Sequence, residues 1–472
     1  MTICHKVSFV LSLLLVIVFL ASCASPTPIP LTIPSQTRVP YPTVTQMPTI
    51  QVGDIQVPDP KASNPALFNL NNTDSPIVQF AKAFEISPAD VQLQGPQLLT
   101  SRGEKQFIVF TTLDLPNTKD IDETGIPLII AIKNDKDEWI WSGSSLKEMC
   151  GLNGLKCGST ISGDEDYQNP LYNQKIMNEF SIINCGGTSP LSVLRDGGYP
   201  FEKKYSLFAQ QNDISFRPGH LFDWGDENPV ELNTTSKVEI TEWMKNWVKQ
   251  EVNGYPYFDS INFANEPVGI YDGSQYWVTE SNPWYRAFQE QWPVEAYSMI
   301  YNELKAKGLR PGDDVHLILN LPYGAKEWGY NPQFTLDFMA QMKKQIQAEV
   351  GPDAIMDVGI QFHLRDVPQN QVDWGGPNIE DLDEEKLTQF FTDLGQIGPV
   401  HITEMSIRNV QNPEDAINGV NLVLSSAIRS GTVKDVIFWE AFKENEFLFN
   451  DQFQNNRDYY LVLRMLLAEL EK

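Results

Sequence analysis

The chain has 472 residues, enough for one large domain with an accessory domain or a tail. It carries 35 Lys plus Arg against 61 Asp plus Glu, so its formal net charge is 35 − 61 = −26 at pH 7. This balance argues against nucleic acid as a partner, because such binding depends on Lys and Arg that neutralise phosphates.

The first 22 residues are typical of a secretory signal that does not belong to the fold. Lys6 supplies a positive flank, residues 8–20 form an apolar run too short to span a bilayer comfortably, and Ala-Ser-Cys23 follows. A small-residue site that ends in Cys resembles a bacterial lipobox, which predicts Cys23 as the first mature residue and the lipid attachment point. The alternatives are an uncleaved anchor, or plain secretion with a chance cysteine.

Residues 23–65 are rich in Pro, Thr and Ser and predict an extended, semi-rigid tether. A signal, a tether and a globular part in this order predict a lipoprotein of the bacterial cell envelope. We expect it to be lipid-anchored to the membrane, to face outside the cytoplasm and to act as a monomer.

The other cysteines and the histidines give no sign of a metal site. Cys150 and Cys157 lie close together and could oxidise in an exported protein, which would leave Cys185 unpaired. No Cys/His group has zinc-ligand spacing, and His316 and His401 lie in predicted strands without a motif role. We therefore expect no structural metal and no cofactor.

Residues 66–143 predict a small α+β accessory domain. A helix-like stretch at 75–84 precedes strand-like runs at 106–112, 126–133 and 138–141. No motif in this segment indicates a function, so structural support, partner contact and sugar binding all stay open.

Residues 144–472 repeat a strand-then-helix pattern. The predicted strands are 155–162, 180–183, 214–222, 258–264, 315–321, 356–363, 400–407 and 433–442. The predicted helices are 169–179, 201–211, 240–251, 295–307, 332–350, 384–394, 413–429 and 458–470. Eight strands, each followed by a helix, predict an α/β fold of the (β/α)8 TIM barrel type. An open doubly wound sheet would alternate similarly, but no Gly-rich phosphate loop follows the first strand.

Two glutamates, Glu266 and Glu404, stand at the ends of two predicted strands. Each follows a short apolar, β-branched run, so each carboxyl should project from a strand terminus. A parallel barrel brings its strand ends together at one mouth, where paired carboxylates can act on one substrate. A single strand-end Glu is usually structural, whereas two with partner motifs indicate a site.

Short motifs accompany both glutamates in a fixed order: Arg217-Pro-Gly-His220-Leu-Phe-Asp-Trp224, Asn265-Glu266, Val358-Gly-Ile-Gln361-Phe-His363-Leu, Ile402-Thr-Glu404-Met and Ile437-Phe-Trp439. In sequence and spacing these segments resemble glycoside hydrolase family 10, the xylanase family, over about residues 145–472. Asn-Glu alone recurs in many barrel hydrolases, so the ordered set carries the resemblance.

The resemblance implies a retaining glycosidase with two carboxyls about 5–5.5 Å apart. Glu266 would be the acid/base and Glu404 the nucleophile. His363 would hold Glu404 ionised, and Asn265 would contact the sugar 2-hydroxyl. The remaining substrate-binding positions would be His220, Trp224, Gln361, Trp439 and Asn320, with Trp439 as the apolar floor of a sugar subsite.

Departures from the family cluster on the sugar-binding side. Asn184-Cys-Gly-Gly replaces the Glu-Asn-x-x-Lys that grips the non-reducing sugar, and Gly225 replaces a histidine. Glu440, Lys443 and Phe447 replace the family's Gly, Asp and Trp after the last strand. Xylan is therefore the family default, and the expected substrate is a β-linked polysaccharide or oligosaccharide.

Two other hypotheses about the function stay open at this point. A non-catalytic glycan-binding protein could keep the barrel while its sugar subsites change. A hydrolase of another barrel family, such as a cellulase, would share the acid pair and differ in its subsites.

Overall fold

The computed structural model describes residues 49–52, 55–58, 69–73, 75–83, 86–93, 98–102, 105–112, 127–133, 136, 139–143, 145–161, 168–185, 200–223, 236–271, 274–277, 282–324, 326, 330–367, 376–439, 441–442, 448–450, 453 and 455–470. The predicted signal, Cys23, most of the tether and Trp224 lie outside these residues. Within them, no helix is both long enough and apolar enough to cross a membrane.

The N-terminal part is a hairpin, a helix and an antiparallel sheet. Strands β1 (Thr49–Val52) and β2 (Ile55–Pro58) pair antiparallel inside the segment that was predicted to be a tether. Helix α1 (Pro76–Ala83) follows, and a four-stranded sheet is then formed in sequence order by β3 (Leu98–Arg102), β4 (Lys105–Thr111), β5 (Pro127–Lys133) and β6 (Trp139–Gly143). The helix and three of the strands were predicted, whereas β1, β2 and β3 were not.

Eight parallel strands in the described part of the chain form the barrel wall. They are β7 (Lys156–Ile161), β8 (Ile182–Cys185), β9 (Ser215–Arg217), β10 (Ser260–Asn265), β13 (His316–Pro322), β14 (Asp357–Arg365), β15 (Val400–Asn409) and β16 (Val433–Phe438). The order in the sheet is β10-β13-β14-β15-β16-β7-β8-β9. A small antiparallel hairpin, β11 (Val268–Tyr271) with β12 (Ser274–Trp277), follows β10.

Backbone hydrogen bonds between β10 and the segment 215–223 join the two edges of this sheet. The amides of Leu221 and Asn265 donate to the carbonyls of Asn262 and Phe222, each at 2.8 Å. These bonds bring the first and last strands of the sheet order together, which confirms the predicted TIM barrel.

Helices surround the barrel and alternate with its strands. The described helices of this part are α2 (Leu146–Leu152), α3 (Pro170–Glu179), α4 (Pro200–Asn212), α5 (Lys237–Gly254), α6 (Pro283–Phe288), α7 (Trp292–Ala306), α8 (Pro332–Val350), α9 (Glu384–Ile397), α10 (Pro413–Ser430) and α11 (Arg457–Leu470). All eight predicted helices are present. Several begin with Asn followed by Pro, in which the Asn side chain caps the first turn. Helix α11 also contacts β3 and β5 of the N-terminal sheet.

A disulfide joins Cys150 of α2 to Cys157 of β7. The pairing that the sequence left open is therefore formed. Cys185, at the end of β8, is a free and buried thiol.

A largely buried group of ionisable side chains lies at the amino end of the barrel. Arg217 Nη2 donates to Asp435 Oδ2 at 2.8 Å, and His401 Nδ1 lies 2.7 Å from the same oxygen. His401 Nε2 lies 3.0 Å from Asp357 Oδ2, which is 2.7 Å from His316 Nδ1. We call these five residues the basal charge layer.

Candidate active site

The two glutamates lie at the carboxyl end of the barrel strands. Glu404 is the fifth residue of β15 and is 3% exposed, while Glu266 follows β10 directly and is partly exposed. This end of a TIM barrel is where its active sites are built, because the loops after the strands converge there.

Glu404 Oε1 is surrounded by nitrogen donors. It accepts hydrogen bonds from Asn320 Nδ2 at 3.0 Å and Gln361 Nε2 at 3.1 Å, and His220 Nε2 lies 3.3 Å away. Gln361 stands directly opposite Glu404 in the β14–β15 register, after an irregularity that shifts this register at Ile360. Asn320 and Gln361, predicted to bind substrate, therefore hold the nucleophile candidate.

His363 approaches the second oxygen of the same carboxyl. Its Nε2 lies 3.4 Å from Glu404 Oε2, and its Nδ1 lies 3.0 Å from Ser406 Oγ. Burial favours the neutral carboxyl of Glu404, but the two histidines outweigh it and lower its pKa to about 2. The side chain is thus ionised at neutral pH.

His220 is oriented from behind by the barrel wall. The Asn262 side-chain amide lies 3.2 Å from His220 Nδ1, with its nitrogen as donor. This assignment leaves the proton of a neutral imidazole on Nε2, where it faces Glu404. His220, which was predicted to bind the reacting sugar, is therefore also a partner of Glu404.

Asn265 is tied into the same network by its amide oxygen. Oδ1 accepts from Asn320 Nδ2 at 2.8 Å and from Gln361 Nε2 at 3.1 Å, and Nδ2 donates to Asp223 Oδ1 at 3.4 Å. Asn320 and Gln361 each bridge Asn265 and Glu404. A Thr403 hydroxyl that donates to Asn320 Oδ1 fixes the orientation of one of these bridges.

Glu266 has an unusual backbone conformation. Its φ is +45°, a region that a residue with a side chain seldom adopts, and its amide donates to Asn320 O at 2.9 Å. A register irregularity in β10 between Asn262 and Ala264 precedes it. Such backbone strain persists where surrounding contacts impose it, and it clusters at active sites.

The Glu266 carboxyl is shifted in the opposite direction from Glu404. Its partial burial at the barrel mouth, together with the charges of Asp223 and Glu404, raises its pKa to about 8. One carboxyl of the site is therefore protonated at neutral pH and its neighbour is ionised. Such a pair can supply an acid and a nucleophile to one substrate.

Gly359 of β14 allows the close packing beneath this network. A Cβ at this position would lie 2.8 Å from Asn320 Oδ1 and 2.9 Å from Thr403 Cγ2. Those contacts are shorter than ordinary van der Waals distances, so a side chain here would displace Asn320.

Most of the predicted site residues come together at one mouth of the barrel. They are Glu266, Glu404, His363, Asn265, His220, Gln361 and Asn320. Trp439 follows β16 and is half-buried, and its amide donates to Met405 O at 2.8 Å. Trp224, Gly225, Glu440, Lys443 and Phe447 lie outside the described residues.

Four residues of the site were not predicted from the sequence: Asp223, Asn262, Thr403 and Ser406. Ser406 could have been predicted, because it lies two residues after Glu404 in the same strand and its side chain therefore points to the same face.

No metal ligand set forms at this mouth among the residues that the structure describes. A His/Asp group with suitable spacing does occur among those residues, but at the opposite end of the barrel; it comprises His316, Asp357 and His401 of the basal charge layer.

Residues 145–463 match the family model for Glycosyl hydrolase family 10. The chain belongs to this family. No protein in the curated set matches it.

Solved structures of family 10 xylanases share the fold. Native xylanase 10B from Thermotoga maritima has a TM-score of 0.54 at 16% identity, covering 69% of this chain and 99% of its own. Xylanase 10B from Thermotoga petrophila RKU-1, in complex with xylobiose, has the same score and identity, with 69% and 98% covered. The Penicillium canescens endo-1,4-beta-xylanase XylE has a TM-score of 0.53 at 17% identity, again covering 69% and 98%.

Proposed function

We propose that this family 10 protein is a retaining glycoside hydrolase that cleaves β-linked polysaccharide or oligosaccharide, in the manner of an endo-1,4-β-xylanase. The observation that carries the proposal is that both glutamates lie at one barrel mouth, with Glu404 Oε1 held by Asn320, Gln361 and His220. These surroundings lower the pKa of Glu404 to about 2, whereas the pKa of Glu266 is raised to about 8. A retaining glycosidase needs one carboxyl that donates a proton and another that attacks as an anion.

The proposed reaction has two steps. In the first, Glu404 attacks the anomeric carbon while Glu266 donates its proton to the departing glycosidic oxygen, forming a glycosyl-enzyme ester. In the second, Glu266 takes a proton from water, whose oxygen attacks the anomeric carbon and releases Glu404 as a carboxylate.

The donors around Glu404 have a defined role in this scheme. Asn320, Gln361, His220 and His363 lower the basicity of the nucleophile in the resting enzyme and fix its direction. A nucleophile held in a reactive orientation lowers the entropic part of the barrier. Asn265, fixed by Asn320 and Gln361, would offer a polar group to the sugar 2-hydroxyl.

Xylan is the first substrate to test, because the similar solved structures are xylanases and one holds xylobiose. The altered residues after β8 and β16 in the sequence favour a glycan with a different hydroxyl pattern. Loss of a buried hydrogen bond to a sugar hydroxyl costs about 1–3 kcal/mol of discrimination.

The decisive experiment is a substrate screen with the purified protein and a Glu404→Ala variant. The panel contains xylan, mixed-linkage glucan, mannan, cellulose and aryl β-glycosides. We expect turnover of at least one substrate, with retention of anomeric configuration, and loss of that turnover in the variant. Sugar binding without turnover of any substrate would reject the hydrolase and support a glycan-capture protein.

We also propose that the protein is a monomeric lipoprotein of the cell envelope, anchored through Cys23. The Cys150–Cys157 disulfide supports export, because disulfides persist in oxidising compartments. Cys23→Ser should release the protein from membranes, and continued membrane association of this variant would reject lipidation. Light scattering of the soluble Cys23→Ser form should give the mass of one chain.

A further inference from the structure

Three potential metal ligands converge in the basal charge layer, at the opposite end of the barrel strands from the glutamate pair. They are His316, Asp357 and His401, and each has a ligand atom within 4.8 Å of those of the other two. Asp357 is fully buried, His401 is 3% exposed, and the His316 side chain is 37% exposed. The group is thus enclosed on the barrel side and reachable from solvent through one histidine.

The strand register explains why these residues meet. His316 is the first residue of β13, Asp357 is the first residue of β14, and His401 is the second residue of β15. The three strands are consecutive neighbours in the parallel sheet. More than forty residues separate each ligand from the next, so no local zinc-ligand spacing exists in the sequence.

The donor types select the class of ion. Two imidazoles and one carboxylate suit zinc and other divalent transition metals, whereas calcium and magnesium prefer all-oxygen surroundings. Three protein ligands would leave a fourth position of a tetrahedral ion for water, and the exposed side of His316 provides access for it.

The residues around His401 resemble those that orient a metal-binding histidine in other proteins. Asp435 Oδ2 lies 2.7 Å from His401 Nδ1 and is itself held by Arg217 Nη2 at 2.8 Å. Because Asp435 accepts the Nδ1 proton, the Nε2 proton that now faces Asp357 Oδ2 at 3.0 Å is the one that a bound ion would displace. Asp357 Oδ1 is buried and makes no hydrogen bond among the described residues, so this carboxylate has capacity for a cation.

Two of the three distances between ligand atoms need only a small adjustment to admit an ion. The two nitrogens lie 2.7 Å and 3.0 Å from Asp357 Oδ2. In a tetrahedral site with ligands at about 2.1 Å, neighbouring ligand atoms are about 3.4 Å apart. Each contact would therefore open by about half an ångström, which a rotation of the exposed His316 side chain can supply for one of them.

We propose that His316, Asp357 and His401 bind one divalent transition-metal ion, of the zinc class, at the amino end of the barrel. Since the site joins three neighbouring strands about 40 residues apart in the chain, the bound ion stabilises the folded barrel. The competing explanation is that Asp357 only accepts hydrogen bonds from the two histidines.

The test uses the full chain after removal of metal with EDTA and dialysis. Titration with ZnCl2 is followed by calorimetry and by the thermal unfolding midpoint. We expect one zinc ion per chain and a rise of several degrees in the midpoint at saturating zinc. His316→Ala should abolish both effects, and Asp435→Asn should weaken zinc binding by about 10- to 100-fold.

Two further variants separate metal binding from other roles. His316→Gln keeps a hydrogen-bond donor for Asp357 and removes the imidazole, so it should melt like the wild type without zinc and gain less from zinc. His363→Ala is the matched control, because it removes a histidine at the other end of the barrel and should retain the zinc shift.

Several outcomes would overturn the proposal. The first is that the wild type neither binds zinc nor unfolds at a higher temperature in its presence. The second is that the zinc-induced rise of the unfolding midpoint is unchanged in His316→Ala. The third is that this rise is lost in His363→Ala and kept in His316→Ala. The last result would assign zinc to the glutamate mouth.

Discussion

The two ends of the barrel bury the same kinds of side chain with opposite electrostatic results. At the amino end, Asp435 lies between Arg217 and His401, so the carboxylate faces cationic or proton-donating partners. At the carboxyl end, Glu266 lies near two other carboxylates, Asp223 and Glu404, and its pKa rises to about 8.

This difference separates a structural role from a chemical one. At the amino end, the neighbouring His and Arg side chains lower the pKa of Asp357 and of Asp435, so both stay ionised and link neighbouring strands. Carboxyls that repel one another are driven into different ionisation states, which is the condition for proton transfer at neutral pH. Residue type alone does not distinguish the two ends, because both contain Asp or Glu beside His.

The largest effect at the carboxyl end is expected from Glu266→Ala. Turnover of natural glycans should fall by about 10²- to 10⁴-fold, because their poor leaving groups need a proton. Aryl glycosides with activated leaving groups should keep most of their glycosylation rate. Steady-state kinetics on both substrate types provide the measurement, and an equal loss on both would contradict the acid role.

At the amino end, Arg217→Met should destabilise the fold by about 3–5 kcal/mol, since it leaves Asp435 buried with fewer partners. Chemical denaturation measures this loss. Lys245→Met removes a partner of Glu242 from an exposed pair on α5 and should change stability little. Similar values for the two variants would mean that the basal charge layer contributes no more than a surface pair.

Gly359→Ala connects the packing of the barrel to its chemistry. The added methyl group would press on Asn320 and Thr403, which costs about 1–3 kcal/mol of stability and moves a donor away from Glu404. We expect kcat to fall by about 10-fold or more with KM less affected. Gly151→Ala, where a methyl group meets nothing within 4 Å, is the matched control.

The smallest effect is a pH shift from Asp223→Asn. The proposed mechanism requires a protonated Glu266, so kcat/KM of the wild type should decline as pH rises through about 8. Removing the Asp223 charge lowers the pKa of Glu266, and the alkaline limb should then move to lower pH. An unmoved limb would show that Asp223 does not influence the acid.

Much of the fold could be predicted from the sequence, because the patterns that indicate strands and helices extend over only a few residues. The alternation of strand and helix patterns predicted all eight barrel strands and eight of the helices that surround them, and Asn-Glu266, Gln361-x-His363 and Thr-Glu404 indicated the candidate site. The hairpin β1–β2 was missed, although Gly53-Asp54 between β-branched runs is a hairpin signal. Its position in a Pro-rich segment led to the tether prediction.

Sequence periodicity and motif order determined the barrel and both glutamates, because strand and helix patterns repeat over a few residues. Only the tertiary structure decided that His220 faces Glu404, that Asn320 and Gln361 bridge Asn265 and Glu404, and that His316, Asp357 and His401 meet. These contacts depend on strand register and barrel closure, which bring residues from distant parts of the chain within a few ångströms. No local pattern encodes that distance.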